Sequence, residues 1–340
     1  RQGHRTVPLK IRAHPLFASE RLRHAATAMV VVLGLATIRF LAPVDFTIWA
    51  FQSKLFERSS ASDVAYVDLN PQGETQAEAA ASLNRQVLAS IRAFKRADAE
   101  LIAINIPLRR SDSPSLDRDL RVELMGNRDR VVLTQDDHGW DDIYAAGRRS
   151  DPYFEAGMQV VDNHLPNDFL NFVWLIEPFS KEEGNRIPSL WSRLTRTETS
   201  SVTQIAPDYT IQVVDVPRYD GAEFMEEDTA RLAIPVGTKV VMGSSLEFRV
   251  PGQTMYPSGL IYILAAATHD QGRGMFVPWN VLLIGIFAGL LVCVISGLSS
   301  ERRRQAYGSL VTAILIGIFL ASAFGIRAEF SDTIALLTIF

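Results

Sequence analysis

Cysteine is almost absent from this chain of 340 residues, which holds a single one, Cys293. One thiol cannot close an intramolecular disulfide, so an exported domain of this protein would depend on packing for its stability. The same scarcity leaves no set of thiol ligands for a metal ion. Histidine offers no substitute, because the six histidines are scattered and show neither H-E-x-x-H nor another paired metal spacing. We therefore predict no metal centre and no cofactor.

Sequence motifs for covalent catalysis and nucleotide binding are missing as well. Neither the G-x-S-x-G turn of α/β hydrolases nor the phosphate-binding G-x-x-x-x-G-K-[ST] loop occurs. Gly243-Ser244-Ser245 follows a predicted strand and could offer its amides to an anion, but it does not have the form of a nucleophile elbow. The formal net charge is −4, which gives no reason to expect nucleic acid as a partner. We predict that these residues are not an enzyme and do not bind nucleic acid.

Long apolar runs are what the chain does have. Val277–Leu298 and Tyr307–Ile326 contain no Asp, Glu, Lys or Arg, and about 20 such residues cross a bilayer core as a helix. A weaker run covers 25–42, and a fourth begins at Thr333. These runs predict transmembrane helices at 25–45, 276–299 and 307–326, and the start of a further one at 333–340. Gly285 and Gly289 form a G-x-x-x-G pattern that predicts close helix packing.

Basic residues determine the predicted orientation. The segment 1–24 carries six Lys or Arg residues against one acid, Glu20, and the turn 300–306 carries three consecutive arginines beside Glu301. Short basic loops stay on the cytoplasmic side of a membrane, so both segments are predicted to be cytoplasmic. The domain at 46–275 and the turn at 327–332 would then lie outside, and membrane lipids would be partners of the chain.

Strand and helix patterns alternate through the domain at 46–275. Segments 63–69, 100–108 and 130–134 are typical of buried strands, and helical spacing marks 74–96 and 115–124. This order predicts a parallel βαβαβ unit. The elements predicted further along are a hairpin of strands 157–163 and 169–176, a helix at 188–196, strands at 209–216 and 238–243, and a helix at 257–270. The predicted fold class is therefore α/β, with a mixed, largely parallel sheet flanked by helices.

Polar residues follow the first two predicted strands and form a candidate ligand-binding site. Because ligands of open α/β sheets bind beyond the carboxyl ends of the strands, one crevice could be lined by Asp68, Asn70, Asn105, Arg109 and Arg110. The two arginines could hold a carboxylate or phosphate through paired hydrogen bonds. The alternative is that Asp68 and Asn70 cap turns and that the arginines are solvated.

A second cluster is an acidic loop around one histidine. Its members are Asp136, Asp137, His138, Asp141 and Asp142. Oxygen-rich clusters suit calcium or magnesium, but the spacing differs from the D-x-[DN]-x-[DN]-G loop, and an exposed polar loop has the same composition. We therefore assign no metal to this loop.

Four stretches resemble the type-two CHASE domain, an extracytoplasmic sensing domain of bacterial receptors. They are DVAYVDLN (63–70), ELIAINIPL with SLDRDL (100–108 and 115–120), TKVVMGSS (238–245) and PSGLIYILAAATHDQGR (257–273). The resemblance implies a multi-pass protein of the bacterial inner membrane, with 46–275 as a periplasmic sensory domain and with any catalytic output module outside these residues. Asn105 stands where the family usually has Asp, and Gly259 to Tyr262 replace its acid-and-histidine form.

Two functions of different classes follow from these observations. The first is a sensory receptor that binds a small-molecule ligand or a partner protein and signals across the membrane. The alternative is a non-catalytic accessory or scaffold subunit, in which a degenerate CHASE-like domain contacts other membrane-protein subunits or a second copy in a homodimer. The departures at Asn105 and Gly259 favour the alternative. A tethered hydrolase ranks last, because the sequence provides no nucleophile with its base.

Overall fold

The structure is a computed structural model. It describes residues 19–37, 42–59, 63–135, 149–166, 173, 175–182, 185–195, 204–225, 234–243, 247–250, 255–276, 300–323 and 326–327. The chain divides into two compact units, one made of 1–48 and 277–340 and the other of Trp49–Phe276.

The first unit contains helix α1 (Ser19–Thr37), the beginning of helix α2 (Ala42–Leu55), the last helix, α8 (Ser300–Ala323), and the short strand β14 (Ile326–Arg327). In the part of the chain that the structure describes, no helix has both the length and the apolar character that crossing a membrane requires.

That finding corrects the predicted membrane topology. Helix α1 begins at the charged segment around Glu20 and ends at Thr37, and helix α2 starts at Ala42, so neither helix covers the apolar run at 25–45. The run at 307–326 belongs to α8, which also takes in Glu301 and the three arginines that follow it. The predicted spans at 25–45 and 307–326 are therefore wrong, and the multi-pass inner-membrane localisation with a periplasmic domain is wrong with them. The spans predicted at 276–299 and 333–340, with Gly285 and Gly289, lie outside the described residues.

The second unit is an α/β domain. Its strands are β1 (Arg58–Ser59), β2 (Val64–Asp68), β3 (Leu101–Asn105), β4 (Val131–Gln135), β5 (Gln159–Asp162), β6 (Phe179–Glu182), β7 (Asn185–Pro188), β8 (Ile211–Gln212), β9 (Arg218–Asp220), β10 (Lys239–Gly243), β11 (Glu247–Arg249), β12 (Met255–Pro257) and β13 (Met275–Phe276). Besides the end of α2, its helices are α3 (Gln76–Arg96), α4 (Pro114–Gly126), α5 (Pro152–Glu155), α6 (Leu190–Thr195) and α7 (Ser258–Asp270).

Six strands form one sheet in the order β5-β4-β3-β10-β2-β9, and every described pairing in it is parallel. Strand β10, which is late in the chain, lies between β2 and β3. The connection from β2 through α3 to β3 therefore passes over one strand position. Short pairs β1–β8 (parallel), β6–β7 and β11–β12 (both antiparallel) accompany the main sheet.

Alternating side chains give the sheet two covered faces. On one face, which we call the α3 face, Ala65, Val67, Ile104 and other strand residues pack with α3 and α4 in a buried core. On the opposite face, the α7 face, Tyr66 and Val241 lie against Gly259 of α7. Buried on both faces, the central strands consist mostly of apolar residues, as expected for a parallel sheet.

Local sequence explains the helix that anchors the α3 face. Thr75 caps α3 by accepting a hydrogen bond from the Glu78 amide, and the Glu78 carboxylate accepts one from the Thr75 amide. This reciprocal cap satisfies two amides that the first turn would leave unpaired. Leu83, Val87 and Ile91 then recur at helical spacing and are buried against the sheet.

Two local predictions in the second half of this unit have different outcomes. Strand β5 pairs in parallel with β4, and an antiparallel pair in this region is β6–β7, whereas the predicted pairing of β5 with 169–176 is not tested. Much of 169–176 lies outside the described residues. The strand predicted at 209–216 is the two-residue strand β8, followed by a 3-10 turn at Val213–Asp215.

Candidate functional site

The carboxyl edge of strand β10 is a point where chain connections diverge. Its neighbours β2 and β3 lead into α3 and α4 on the α3 face, whereas β10 leads toward α7 on the opposite face. Adjacent parallel strands whose connections leave on opposite faces open a crevice beyond their carboxyl ends, where open α/β sheets bind their ligands. Sheet topology therefore marks this edge as the place to look for a site.

Register brings one residue from each of the three central strands to this edge. Gly243 at the end of β10 is paired with Asp68 of β2 on one side and with Asn105 of β3 on the other. From the order of strands along the chain, β2 and β3 would be expected to be neighbours, but β10 separates Asp68 from Asn105. Parallel strands lie about 4.8 Å apart, so the two residues are about two such spacings from each other.

Asn105 is the centre of a hydrogen-bond network on the α7 face. Its side-chain nitrogen donates to Ser258 Oγ at 2.9 Å, which connects β3 to the first residue of α7. Its side-chain oxygen accepts from Asn163 Nδ2 at 2.9 Å, and the same nitrogen donates to Thr134 Oγ1 at 3.1 Å. The carboxyl ends of β3, β4 and β5 are thus joined by side chains that lie far apart in the sequence.

The donors of this network determine which way the Asn163 amide points. Thr134 Oγ1 gives its proton to the carbonyl oxygen of Ile104 at 3.1 Å, so it can only accept from Asn163. The amide nitrogen of Asn163 must therefore face Thr134 and Asn105. Its oxygen points away, is buried, and has no hydrogen-bond partner among the described residues. This oxygen is available to accept a hydrogen bond.

Tyr66 lies beneath the start of α7. Its side chain is 2% exposed, and its hydroxyl has no hydrogen-bond partner within the described ranges. The hydroxyl end of the ring points to Gly243, where an added Cβ would lie 3.1 Å from the oxygen, and a ring carbon would lie 2.7 Å from a Cβ at Gly259. The absence of side chains at these two glycines makes room for the ring.

Electrostatics keep this hydroxyl protonated. Burial, and secondly the negative charge of Asp68, raise the pKa of Tyr66 above its ordinary value, while Arg218 acts in the opposite direction. A neutral hydroxyl can donate a hydrogen bond. The first turn of α7 also presents donors, since its N-cap is Pro257 and no side chain caps it.

Of the residues predicted from sequence, Asp68 and Asn70 have different surroundings. Asp68 is exposed at the carboxyl end of β2, beside Gly243. Asn70 is held through its backbone: its amide donates to Gln86 Oε1 at 3.1 Å, and Gln86 Nε2 donates to its carbonyl at 3.0 Å. The buried Gln86 of α3 thus fixes the loop that follows β2.

Arg109 and Arg110 are engaged on the α3 face. Arg110 pairs with Asp151 at 3.3 Å, and its guanidinium lies 4.7 Å from the centre of the Tyr153 ring. The carbonyl of Arg109 accepts from Asn84 Nδ2 at 2.9 Å. Tyr153 packs against the core on this face, so the structure does not place Arg110 with Asn105 and Ser258. The assignment of the five residues to a ligand site stays a prediction.

Other clusters from the sequence contribute nothing to this edge that can be described. The acidic loop from Asp136 to Asp142 lies outside the described residues, as do Ser244 and Ser245. Within the described ranges, no group of three or more His, Cys, Asp or Glu side chains is arranged to hold a metal ion.

Sequence reasoning missed Tyr66, Thr134, Asn163 and Ser258. One signal was available, because strand alternation in DVAYVDL places Tyr66 on the same face as Asp68. Nothing in the local sequence indicates that residues near 134, 163 and 258 meet.

No protein-family model, curated protein or solved structure matches this chain.

Proposed function

We propose that the unit Trp49–Phe276 is a binding module for a small polar molecule. The molecule occupies the crevice at the carboxyl edge of β10, which we call the carboxyl-edge site; its residues are Tyr66, Asp68, Asn105, Asn163, Gly243 and Ser258. The observation that carries the proposal is the buried hydroxyl of Tyr66, which lies beneath the uncapped first turn of α7 and has no hydrogen-bond partner among the residues that the structure describes.

An unpartnered buried hydroxyl calls for an explanation. Leaving such a group without a hydrogen bond destabilises a protein by about 1–3 kcal/mol, and most buried polar atoms have a partner. Phenylalanine would fill the same space without that penalty. The side-chain oxygen of Asn163, on the other side of Asn105, is likewise buried and has no hydrogen-bond partner among the described residues. A polar ligand that bonds to the Tyr66 hydroxyl would account for its presence.

The polar network around Asn105 gives the site a fixed shape. Asn105 and Asn163 both lie within chains of hydrogen bonds that end on the backbone and on α7. Groups held in this way lose little further freedom when a ligand arrives, which favours binding. A sensory role, as the resemblance to the type-two CHASE domain implies, would follow if binding changes the position of α7, since Ser258 belongs both to the site and to that helix.

A screen with a blocking variant tests the proposal. Ser258→Phe places a large ring in the crevice, and Ser115→Phe, at the second residue of α4, is the matched control at another helix start. The full chain is mixed with a library of small polar metabolites while its thermal unfolding is followed. A ligand at about 100 times its Kd should raise the Tm by on the order of 5–10 °C.

We expect at least one compound to stabilise the wild type and Ser115→Phe but not Ser258→Phe. The proposal fails if no compound stabilises the wild type, or if Ser258→Phe responds as strongly as the control. Failure of this kind would favour the accessory role, in which the domain serves for contact with another protein.

A further inference from the structure

We infer that the unit Trp49–Phe276 has a second binding site, for a phosphate group, on its α3 face. The site consists of Arg110, Arg121 and Tyr153, which we call the arginine cluster. It shares no residue with the carboxyl-edge site, and the inference goes beyond the proposed function without depending on it.

Two arginine side chains of this cluster lie against one aromatic ring. The guanidinium carbons of Arg110 and Arg121 are 4.7 and 4.8 Å from the centre of the Tyr153 ring, so they lie at most 9.5 Å from each other. Each contact with the ring is favourable, but the two like charges repel each other at this separation. An anion that contacts both guanidinium groups would offset this repulsion.

The two guanidinium groups also have more hydrogen-bond donors than they use. Each carries several N–H groups in a planar fork. Arg110 uses its Nε, which donates to Asp151 Oδ1 at 3.3 Å. Arg121 forms no hydrogen bond or ion pair within the described ranges, although its Nη1 atom is buried. Burying a charged donor without an acceptor is costly, so this nitrogen calls for an acceptor from outside the described residues.

Local hydrogen bonds hold the ring in place. The Tyr153 amide donates to Asp151 Oδ1 at 2.8 Å, and the Asp151 amide donates to the carbonyl of Leu108 at 2.8 Å. Helix α5 is thereby attached to the loop that carries Arg110. The Tyr153 ring meets the buried ring of Phe154 edge-on, with the ring centres 5.2 Å apart. A ring fixed in this way holds the cluster ready for a ligand and lowers the entropy that binding would cost.

A phosphate group suits the arginine cluster better than a carboxylate. A carboxylate has a pair of oxygens in one plane, which fits a single guanidinium fork, and Asp151 already presents one to Arg110. A phosphate ester carries a charge of about −1.5 to −2 at pH 7, with acceptor oxygens on several sides, so it can bond to both guanidinium groups together. The Arg110 side chain is 60% exposed, which leaves it free to close on the ligand.

Phosphorus NMR on the full chain tests the inference, with inorganic phosphate as the first probe. The linewidth of the phosphate resonance gives a Kd even when binding is weak. One variant is Arg121→Gln, and the other is Arg110→Lys, which keeps a cation beside Asp151 but loses the planar fork. The matched control is Arg118→Gln, which removes an exposed arginine from the same helix, α4, three residues before Arg121.

We expect phosphate to bind the wild type and Arg118→Gln with equal Kd. Arg121→Gln should raise the Kd at least about tenfold, and Arg110→Lys should raise it as well. Acetate at the same ionic strength should not displace the phosphate. Thermal unfolding gives a second readout: phosphate stabilises folded proteins in general, so the expected result is a larger rise of Tm for Arg118→Gln than for Arg121→Gln. An Arg121 that only stabilises the fold would lower the Tm equally with and without phosphate.

Two further probes identify the carrier of the phosphate. Glycerol 3-phosphate represents a small ester, and a short peptide with one phosphoserine represents a modified protein. Binding of either one supports the inference, provided that its unphosphorylated form does not bind.

The inference is overturned if inorganic phosphate and both esters fail to bind the wild type. It is also overturned if Arg118→Gln weakens binding as much as Arg121→Gln, or if acetate competes as well as phosphate does. Because Ser258→Phe alters the carboxyl-edge site alone, that variant should bind phosphate like the wild type. Failure of the arginine cluster therefore leaves the proposed function standing, and failure of the metabolite screen leaves the phosphate site standing.

Discussion

Arg273 and Asp208 form a buried ion pair whose disruption should destabilise the α/β unit strongly. Arg273 Nε lies 2.6 Å from Asp208 Oδ2, and the side chains are 9% and 0% exposed. The other oxygen of Asp208 accepts from the amide and the hydroxyl of Thr210, and the Asp208 amide donates to Thr268 of α7. The pair therefore joins the loop before β8 to the end of the helix that begins at the candidate site.

Arg273→Met should lower the free energy of unfolding by about 3–5 kcal/mol, because it leaves the Asp208 carboxylate buried without its counter-charge. The two bonds from Thr210 remain and keep the loss from being larger. Total stabilities are about 5–15 kcal/mol, so the urea midpoint should fall by roughly 1–2 M. Tryptophan fluorescence reports on this unit, since four of the five tryptophans lie in Trp49–Phe276.

An exposed pair and a double variant complete the experiment. Arg130→Met removes a guanidinium from the exposed pair with Asp98 and should cost less than about 1 kcal/mol. Combining Arg273→Met with Asp208→Asn should cost less than the sum of the two single changes, by about 2 kcal/mol or more. A loss for Arg273→Met no greater than that for Arg130→Met would refute the reasoning that this pair is a desolvated charge pair.

Two further predictions concern the sheet and its surface. Gly259→Ala should destabilise the unit by about 1–3 kcal/mol in urea unfolding, because its Cβ would lie 2.7 Å from the Tyr66 ring. The control Gly126→Ala should not destabilise it, because a Cβ there would have no atom within 4 Å. Equal effects of the two changes would contradict the predicted clash. At Glu123, burial opposes ionisation, but the hydrogen bonds from Lys95 and Asn127 together with the charges of Lys95 and Arg92 outweigh it and lower the pKa. The stabilisation that the ionised Glu123 provides is complete above the unfolded pKa of about 4.3 and is lost as the pH falls through the folded pKa. Glu123→Gln should therefore lower the free energy of unfolding by about 0.5–1 kcal/mol at neutral pH and should not lower it in acid below both pKa values. A loss that does not change with pH would count against the ion pair.

Local patterns in the sequence were sufficient to predict much of the sheet and its helices. Alternation and helical spacing located β2, α3, β3, α4 and β4 within a few residues, because buried strands and amphipathic helices need those periods whatever their neighbours are. Strand β10 and helix α7 were predicted almost to their ends as well. The α/β class and the largely parallel sheet are confirmed for the described residues.

Apolar runs were a weaker guide. A long apolar stretch can span a membrane as a helix only if one helix covers it and carries few charged residues. Where that helix begins and ends depends on the tertiary structure around it. The structure ends α1 at Thr37 and begins α8 among charged residues at Ser300, which hydropathy alone did not indicate. The predicted CHASE resemblance and the choice between sensor and scaffold stay predictions.

By itself, the sequence determined which segments become strands and helices and which faces of them are apolar, since these follow from interactions a few residues apart. Only the tertiary structure decided that β10 lies between β2 and β3, and hence that Tyr66, Asn105, Asn163 and Ser258 share one edge. Asn105 and Ser258 are 153 positions apart, and strand order depends on how whole faces pack. Periodicity within one segment carries no information about its neighbours in the sheet, so the candidate site could be found only after the fold was known.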